Sequence, residues 1–284
     1  MRLVERMRAG STMIKRIVVA QVDVDDERPE RNIEKMKTLI RTHHEADLIV
    51  FPELVVQGHM FSPAPKQEIL DVIAKTPTKY RDEIRTYAQE QRTRVIFGEF
   101  DQVGDQLYNF AVYVSPEKIE RYAKTHVHWS ESFVPGNELK AFDTPLERLG
   151  ILICFDAAFP EAARVLGLQG AKLIVTIAAV PNTFDMTIMH RRMTSIALDN
   201  QVFCIFANRS GAQFGGGSAI FNPRGDCIAV AGEHEEETLT ADIDLLEIDR
   251  WRSQEPIYPS RRPSLYGLMT SPQMARGEVI QQKP

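Results

Sequence analysis

Short runs of consecutive apolar residues recur along this chain, and most of them stop abruptly at a polar or turn-forming residue. Residues 14–22, 48–51, 149–154, 173–179 and 202–207 have the length and unbroken apolar character of buried strands. Between them lie amphipathic stretches. In residues 30–45, Ile33, Met36, Leu39 and Ile40 fall on one helical face. Residues 65–91 read as helix with a break near Pro77, and residues 160–169 and 184–199 read as two further helices. Residues 94–100, 106–114 and 119–123 read as three strands separated by turn signals. After residue 207 the pattern changes to glycine-punctuated short strands at 218–221, 227–231 and 238–243. A short helix at 244–251 and an extended tail rich in Pro, Ser and Arg follow.

Strands that alternate with helices, with hairpins inserted, predict a layered α/β fold. The pattern shows no internal linker or repeat, so a single domain over residues 13–250 is the economical division. Residues 1–12 form an N-terminal extension, and Met13, just ahead of the first strand, is an alternative start. Residues 251–284 form a C-terminal tail expected to pack on the domain or on a partner subunit.

Composition narrows the partners. A net charge of −5 gives no support for a nucleic-acid partner. No apolar run is long enough to span a membrane, and residues 1–12 lack the apolar centre of a secretory signal. Cys154, Cys204 and Cys227 fit neither a disulfide framework nor the spacing of a zinc site. These features point to a cytoplasmic protein in a reducing compartment. His126 and His128 lie two residues apart, but no further ligands at suitable spacing accompany them, so no metal site is assigned.

Three polar residues stand where apolar runs end. Cys154 closes the run Gly150-Ile151-Leu152-Ile153, just before Pro160 opens a helix. In an open α/β sheet, that is the carboxyl end of a strand, where ligands bind. Glu53 follows Leu48-Ile49-Val50-Phe51-Pro52, and Lys124 follows Ile119-Glu120-Arg121-Tyr122-Ala123. A free cysteine is most often a small buried hydrophobe, and a lone strand-end Glu or Lys is most often solvated. Together, however, they are the parts of a nucleophilic site. Such a site needs a thiol, a carboxylate base and a cation that lowers the thiol pKa and faces a developing oxyanion.

The stretches around these residues are LIVFPELVVQGH, RYAKTHVHWSESFVPGNE and GILICFDAAFPEAARVLGLQGAKLIV. With them the chain resembles the carbon–nitrogen hydrolases of the nitrilase superfamily, whose signature is a Glu-Lys-Cys triad. The resemblance covers roughly residues 13–243. It implies a four-layer α-β-β-α sandwich, homodimers or larger homo-oligomers, and no cofactor. It also implies roles: Glu53 as general base and acid, Lys124 as oxyanion stabiliser and Cys154 as nucleophile. Glu131, before Pro135-Gly136, fits the family's second glutamate, which orients substrate and holds the lysine; Glu138, beyond that turn, fits less well. The backbone N–H of Phe155, together with His128, Ala178 and Asn182, is assigned to the substrate pocket.

The resemblance further implies cysteine-dependent hydrolysis of a small amide, with release of ammonia through a thioester. Phe155-Asp156 after the cysteine is the amide-cleaving pattern, where nitrile-cleaving members tend to carry Trp-Glu. Relatives that cleave carboxylated substrates often carry arginine next, and here Ala157 and Ala158 stand instead. Two alanines cannot grip a carboxylate, which favours a neutral amide, although Arg191, Arg192 or Arg209 could supply the charge. The alternatives are an N-carbamoyl amine or amino-acid amidohydrolase, a nitrilase on the same triad, and a non-catalytic binding protein on this fold. A papain-like hydrolase would require a different strand order.

Overall fold

The computed structural model describes residues 13–26, 28–58 and 65–270. The expected N-terminal extension, 1–12, and the end of the expected tail, 271–284, lie outside these residues. Among the described residues, twelve strands form two six-stranded sheets. One has the order β12-β1-β2-β3-β4-β5: β1 is Ile14–Gln21, β2 Leu48–Val50, β3 Val95–Val103, β4 Gln106–Val114, β5 Ile119–Ala123 and β12 Glu237–Asp244. The other has the order β11-β10-β9-β8-β7-β6: β6 is Ala141–Asp143, β7 Arg148–Ile153, β8 Leu173–Ala178, β9 Phe203–Asn208, β10 Ala219–Phe221 and β11 Cys227–Val230. At the centre of each sheet three strands run parallel, β1-β2-β3 and β7-β8-β9, and the outer pairings are antiparallel.

Side-chain alternation explains the layering. In β1, Ile17 and Val19 point into the core between the sheets, while Val18 and Ala20 point to the opposite face. That outer face is covered by α1 (Pro29–Thr42) and α3 (Tyr80–Gln91) through Ile33, Met36, Ile40, Tyr80, Ile84 and Ala88. In β7, Leu149, Ile151 and Ile153 point inward, and Leu152 points out toward α4 (Pro160–Leu168) and α5 (Met186–Asn200). The result is the expected four-layer α-β-β-α sandwich. Both faces of the central strands are buried, so their sequences read as unbroken apolar runs. Gly150 sits under α4, and a Cβ there would fall 2.7 Å from Leu166 Cδ1.

Local sequence sets the helix limits. Helix α1 starts with Pro29 in its first turn, has Glu30 near its positive end and has Arg41 in its last turn. Asp185 caps α5 by accepting the Thr187 N–H, and Gln201 ends it in the left-handed region at φ +49°. The remaining helices are α2 (Lys66–Lys75) and α6 (Leu246–Gln254). No described helix is long and apolar enough to cross a membrane.

Some boundaries differ from the sequence reading. Strand β6 was not anticipated. Strand β7 ends at Ile153, so Cys154 opens a 3-10 turn, Cys154–Ala158, and is not the last strand residue. Helix α6 runs on to Gln254, and the chain beyond it makes short 3-10 turns at Pro263–Leu265 and Gly267–Thr270. The start of the tail lies on its own chain. Tyr258 OH donates to the Asn200 carbonyl at 2.8 Å, and the Gln201 amide donates to the Glu255 carbonyl at 2.7 Å.

Candidate active site

The site forms where parallel strands of the two sheets end. Strand β2 delivers Glu53, β7 delivers Cys154 and β8 delivers Ala179, while β5 from the same sheet as β2 delivers Lys124. Sequence reasoning placed Glu53, Lys124, Glu131 and Cys154 together, and the structure brings them together. The Lys124 ammonium donates to Glu53 Oε1 at 2.9 Å and to Glu131 Oε1 at 2.6 Å. Asn109 Nδ2 donates to the same Glu53 oxygen at 2.7 Å, and the Ala179 N–H donates to Glu53 Oε2 at 2.8 Å. Glu53, Glu131 and Cys154 line one cavity of about 310 Å³. Lys124 is only 1% exposed and bridges the two carboxylates.

Backbone geometry aims these groups. Cys154 has φ +46°, a left-handed conformation that costs a non-glycine residue about 1–2 kcal/mol. It turns the chain sharply out of β7, and the residue is half-buried at the cavity wall. The N–H of Phe155, near the start of the following 3-10 turn, is one that no carbonyl of the turn can reach. Opposite, Leu54 at φ +54° bends the chain after Glu53. That bend lies directly on Gly98 of β3, where a Cβ would come within 2.2 Å of the Leu54 nitrogen. Gly136 plays the same part beside Lys124: its N–H donates to the Lys124 carbonyl at 2.8 Å, and a Cβ would meet the Ala123 carbonyl oxygen at 2.5 Å.

Asp156 joins the two halves. It is fully buried and accepts bonds from Tyr122 OH (2.8 Å) and the Ile153 N–H (2.9 Å) at one oxygen. Its other oxygen accepts from Thr125 Oγ1 (2.9 Å) and the His126 N–H (2.8 Å), and lies 2.9 Å from His126 Nδ1. Burial works against its charge, but these donors hold its carboxyl below the usual range. Asp156 does not line the cavity, so this residue fastens the lysine loop to the cysteine turn and does not itself contact substrate.

The sequence suggested that Lys124 lowers the thiol pKa. Burial pushes the Cys154 thiol up and the Glu53 carboxylate pushes it further; Lys124 pulls down but does not win. The resting state is therefore a protonated thiol beside a carboxylate. Burial disfavours the Lys124 charge, yet Glu53 and Glu131 outweigh it and keep the ammonium above the usual lysine range. Glu131 is pushed up to about 7 by burial and by Glu53, against the pull of Lys124. Its Oε2 is buried and has no hydrogen-bond partner among the described residues.

Three pocket assignments need comment. His128 lines the cavity as expected, tilted against Trp129 at 3.7 Å between ring centres and edge-on to Phe155 at 5.1 Å; burial and Lys124 lower its pKa, which favours the neutral ring. Ala178 does not line it: its side chain belongs to the outer core against α5, and Ala179, one residue on, faces the cavity. Asn182 does not line it either, because its amide turns away to donate to the Ala212 carbonyl at 2.7 Å. The residues not anticipated are Asn109 and the walls Trp129, Val180, Pro181, Phe184 and Met189. Asn109 did leave a signal, as a polar residue on the inward face of an otherwise apolar strand. His126 stacks on Phe159 at 3.9 Å and is turned to Asp156, away from His128.

Comparison with known proteins agrees with this geometry. A family profile described as carbon-nitrogen hydrolase matches residues 16–253. A nitrilase of Pyrococcus abyssi is 34% identical over 254 residues, covering 84% of this chain and 94% of the relative. An N-carbamoylputrescine amidase of Solanum tuberosum is 29% identical over 270 residues, covering 84% of this chain and 89% of the relative. The crystal structure of a carbon-nitrogen hydrolase from Helicobacter pylori G27 superposes with a TM-score of 0.82 at 22% identity, covering 92% of this chain and 99% of that one.

Proposed function

This chain belongs to the carbon–nitrogen hydrolase family and acts on carbon–nitrogen bonds, and we propose that it cleaves a small non-peptide amide with Cys154 as nucleophile. The observation that carries this reading is the Lys124 ammonium bridging Glu53 and Glu131 at the wall of the cavity that holds the Cys154 thiol. Names among the relatives span nitrilase, N-carbamoylputrescine amidase and omega-amidase, so they do not choose among these substrates, and the lean to an amide rests on Phe155-Asp156 after the cysteine.

The chemistry follows from the groups present. Because the thiol rests protonated, Glu53 removes the Sγ proton as sulfur attacks the amide carbon. The S–C bond forms and the carbonyl pair moves to oxygen. That oxyanion is met by Lys124 and by the Phe155 N–H, donors of a kind each worth about 2.7–4 kcal/mol. Glu131 Oε2, buried and without a donor among the described residues, accepts the substrate N–H and so orients the amide. Glu53 then delivers its proton to the nitrogen, the C–N bond breaks and ammonia leaves a thioester. Water enters and Glu53 takes its proton. The S–C bond then breaks, the acid departs and the thiol regains a proton.

Ammonia release measured over short aliphatic amides, ω-amides, carbamoyl amines and matching nitriles tests the reading. Wild type should turn over at least one amide. Cys154→Ala should abolish that turnover and leave the melting temperature near wild type. Retained activity would move the nucleophile elsewhere, and turnover of nitriles alone would replace the amidase reading with a nitrilase.

A further inference from the structure

Besides the Cys154 thiol, His128 and the acids that hold Lys124, one ionisable residue remains among the described wall residues, and it is a cation. Arg192, on the cavity side of α5, is half-buried. Its guanidinium lies 5.9 Å from the centre of the Phe184 ring, and Nη1 is directed at Met189 Sδ at 3.6 Å. Among the described residues no carboxylate pairs with it. The two acids in the same cavity are engaged by Lys124. The other candidate arginines are elsewhere: Arg209 is buried against Asp26 at 2.8 Å, and Arg191 is exposed near Asp185.

A guanidinium stays charged wherever it sits. Facing an otherwise apolar wall, it loses water when the cavity fills, and that loss is offset only by an anion or a set of acceptors. A neutral aliphatic substrate would leave it unpaired, and a cationic one would be repelled. A carboxylate matches its planar fork with two parallel bonds. Ala157 and Ala158 stand where the resemblance puts arginine in several relatives that cleave carboxylated substrates, whereas Arg192 reaches the site from a different element, α5. A cavity of about 310 Å³ is at the small end of ligand pockets and suits a short chain with a functional group at each end.

We propose that the substrate is a short amide carrying a carboxylate at the end remote from the scissile bond, and that Arg192 binds this carboxylate. The proposal rests on the amidase reading above and replaces the neutral amide suggested by the two alanines.

The test compares three probes of matched length: glutaramate, pentanamide and 5-aminopentanamide. Wild type should give the highest kcat/KM with glutaramate and the lowest with 5-aminopentanamide. Arg192→Leu should lower the ratio of kcat/KM for glutaramate over pentanamide by about tenfold to a hundredfold, mostly through KM, since charge-assisted contacts are at the strong end of the hydrogen-bond range. Arg192→Lys should restore part of the ratio. Equal wild-type rates with glutaramate and pentanamide, or a ratio unmoved by Arg192→Leu, would overturn the proposal. Calorimetry of glutaramate binding to Cys154→Ala, with and without Arg192→Leu, separates the two readings. If wild type hydrolyses no amide, the cysteine amidase reading fails. Arg192-dependent binding in the calorimeter would still support the carboxylate contact, and Arg192-independent binding, or none, would sink it.

Discussion

One oxygen of Glu131 is bound to Lys124 at 2.6 Å while the other is buried without a partner among the described residues, and burial lifts its pKa from 4.5 to about 7. A raised carboxyl means that the folded state holds a proton the unfolded chain has released. Its contribution is therefore fully present below pH 4.5 and is lost as pH rises through about 7. Melting curves at pH 5 and pH 8 should show a smaller loss on going to the higher pH in Glu131→Gln than in wild type. Lys124 behaves differently. It sits between two buried carboxylates, so its removal strikes the fold as well as the chemistry. Lys124→Met should cost about 3–5 kcal/mol of stability, the range for an uncompensated buried charge, as well as activity. Denaturant titration measures this, and it makes Cys154→Ala the cleaner catalytic variant.

At the scale of elements, the site is a set of tight turns held against one another. Asp156→Asn exchanges one acceptor oxygen for an amide N–H₂ facing donors from Tyr122, Ile153 or the Thr125–His126 turn. The expected result is a stability loss of about 1–3 kcal/mol and a fall in kcat. Gly98→Ala should do similar damage from the other side, because its Cβ would displace the turn that carries Glu53; overpacking of this kind costs about 1–3 kcal/mol. A kcat equal to wild type in both variants would mean that the turns have slack this geometry does not show. These turns also mark what a sequence can reveal. Glu53, Lys124 and Cys154 were legible because each ends an apolar run, and strand ends survive as local pattern. Strand β6 was not, since Ala141–Asp143 is too short to show a period. Ala178 was one residue off because a pleated strand reverses side-chain direction at each step. Phe184, Met189 and Arg192 come from around α5, and the face that α5 turns to the cavity is set by its packing on β9 and β10, which no local window contains.

For the whole molecule, the open question is what covers the outer surface of the α4–α5 layer. Leu168, Ile188 and Leu198 remain 46%, 37% and 38% exposed there, and Leu265, Leu268 and Met269 are exposed further along the chain. With the family resemblance, we propose that a second copy covers part of this surface. Sedimentation should then give a multiple of the chain mass, and Leu198→Glu should shift it toward the monomer. A wild-type monomer at high concentration would remove the proposal.

The last strand of the first sheet, β12, returns to pair with β1 after the chain has built the entire second sheet. Opening the polypeptide in the loop between Gly136 and Ala141 would therefore yield two pieces, neither self-sufficient. The leading piece would keep the base and the ammonium but lack its edge strand; the trailing piece would keep the sulfur and carry that strand. Each should be silent alone, and any recovered turnover on mixing would report reassembly, which makes this hydrolase a natural candidate for a split reporter.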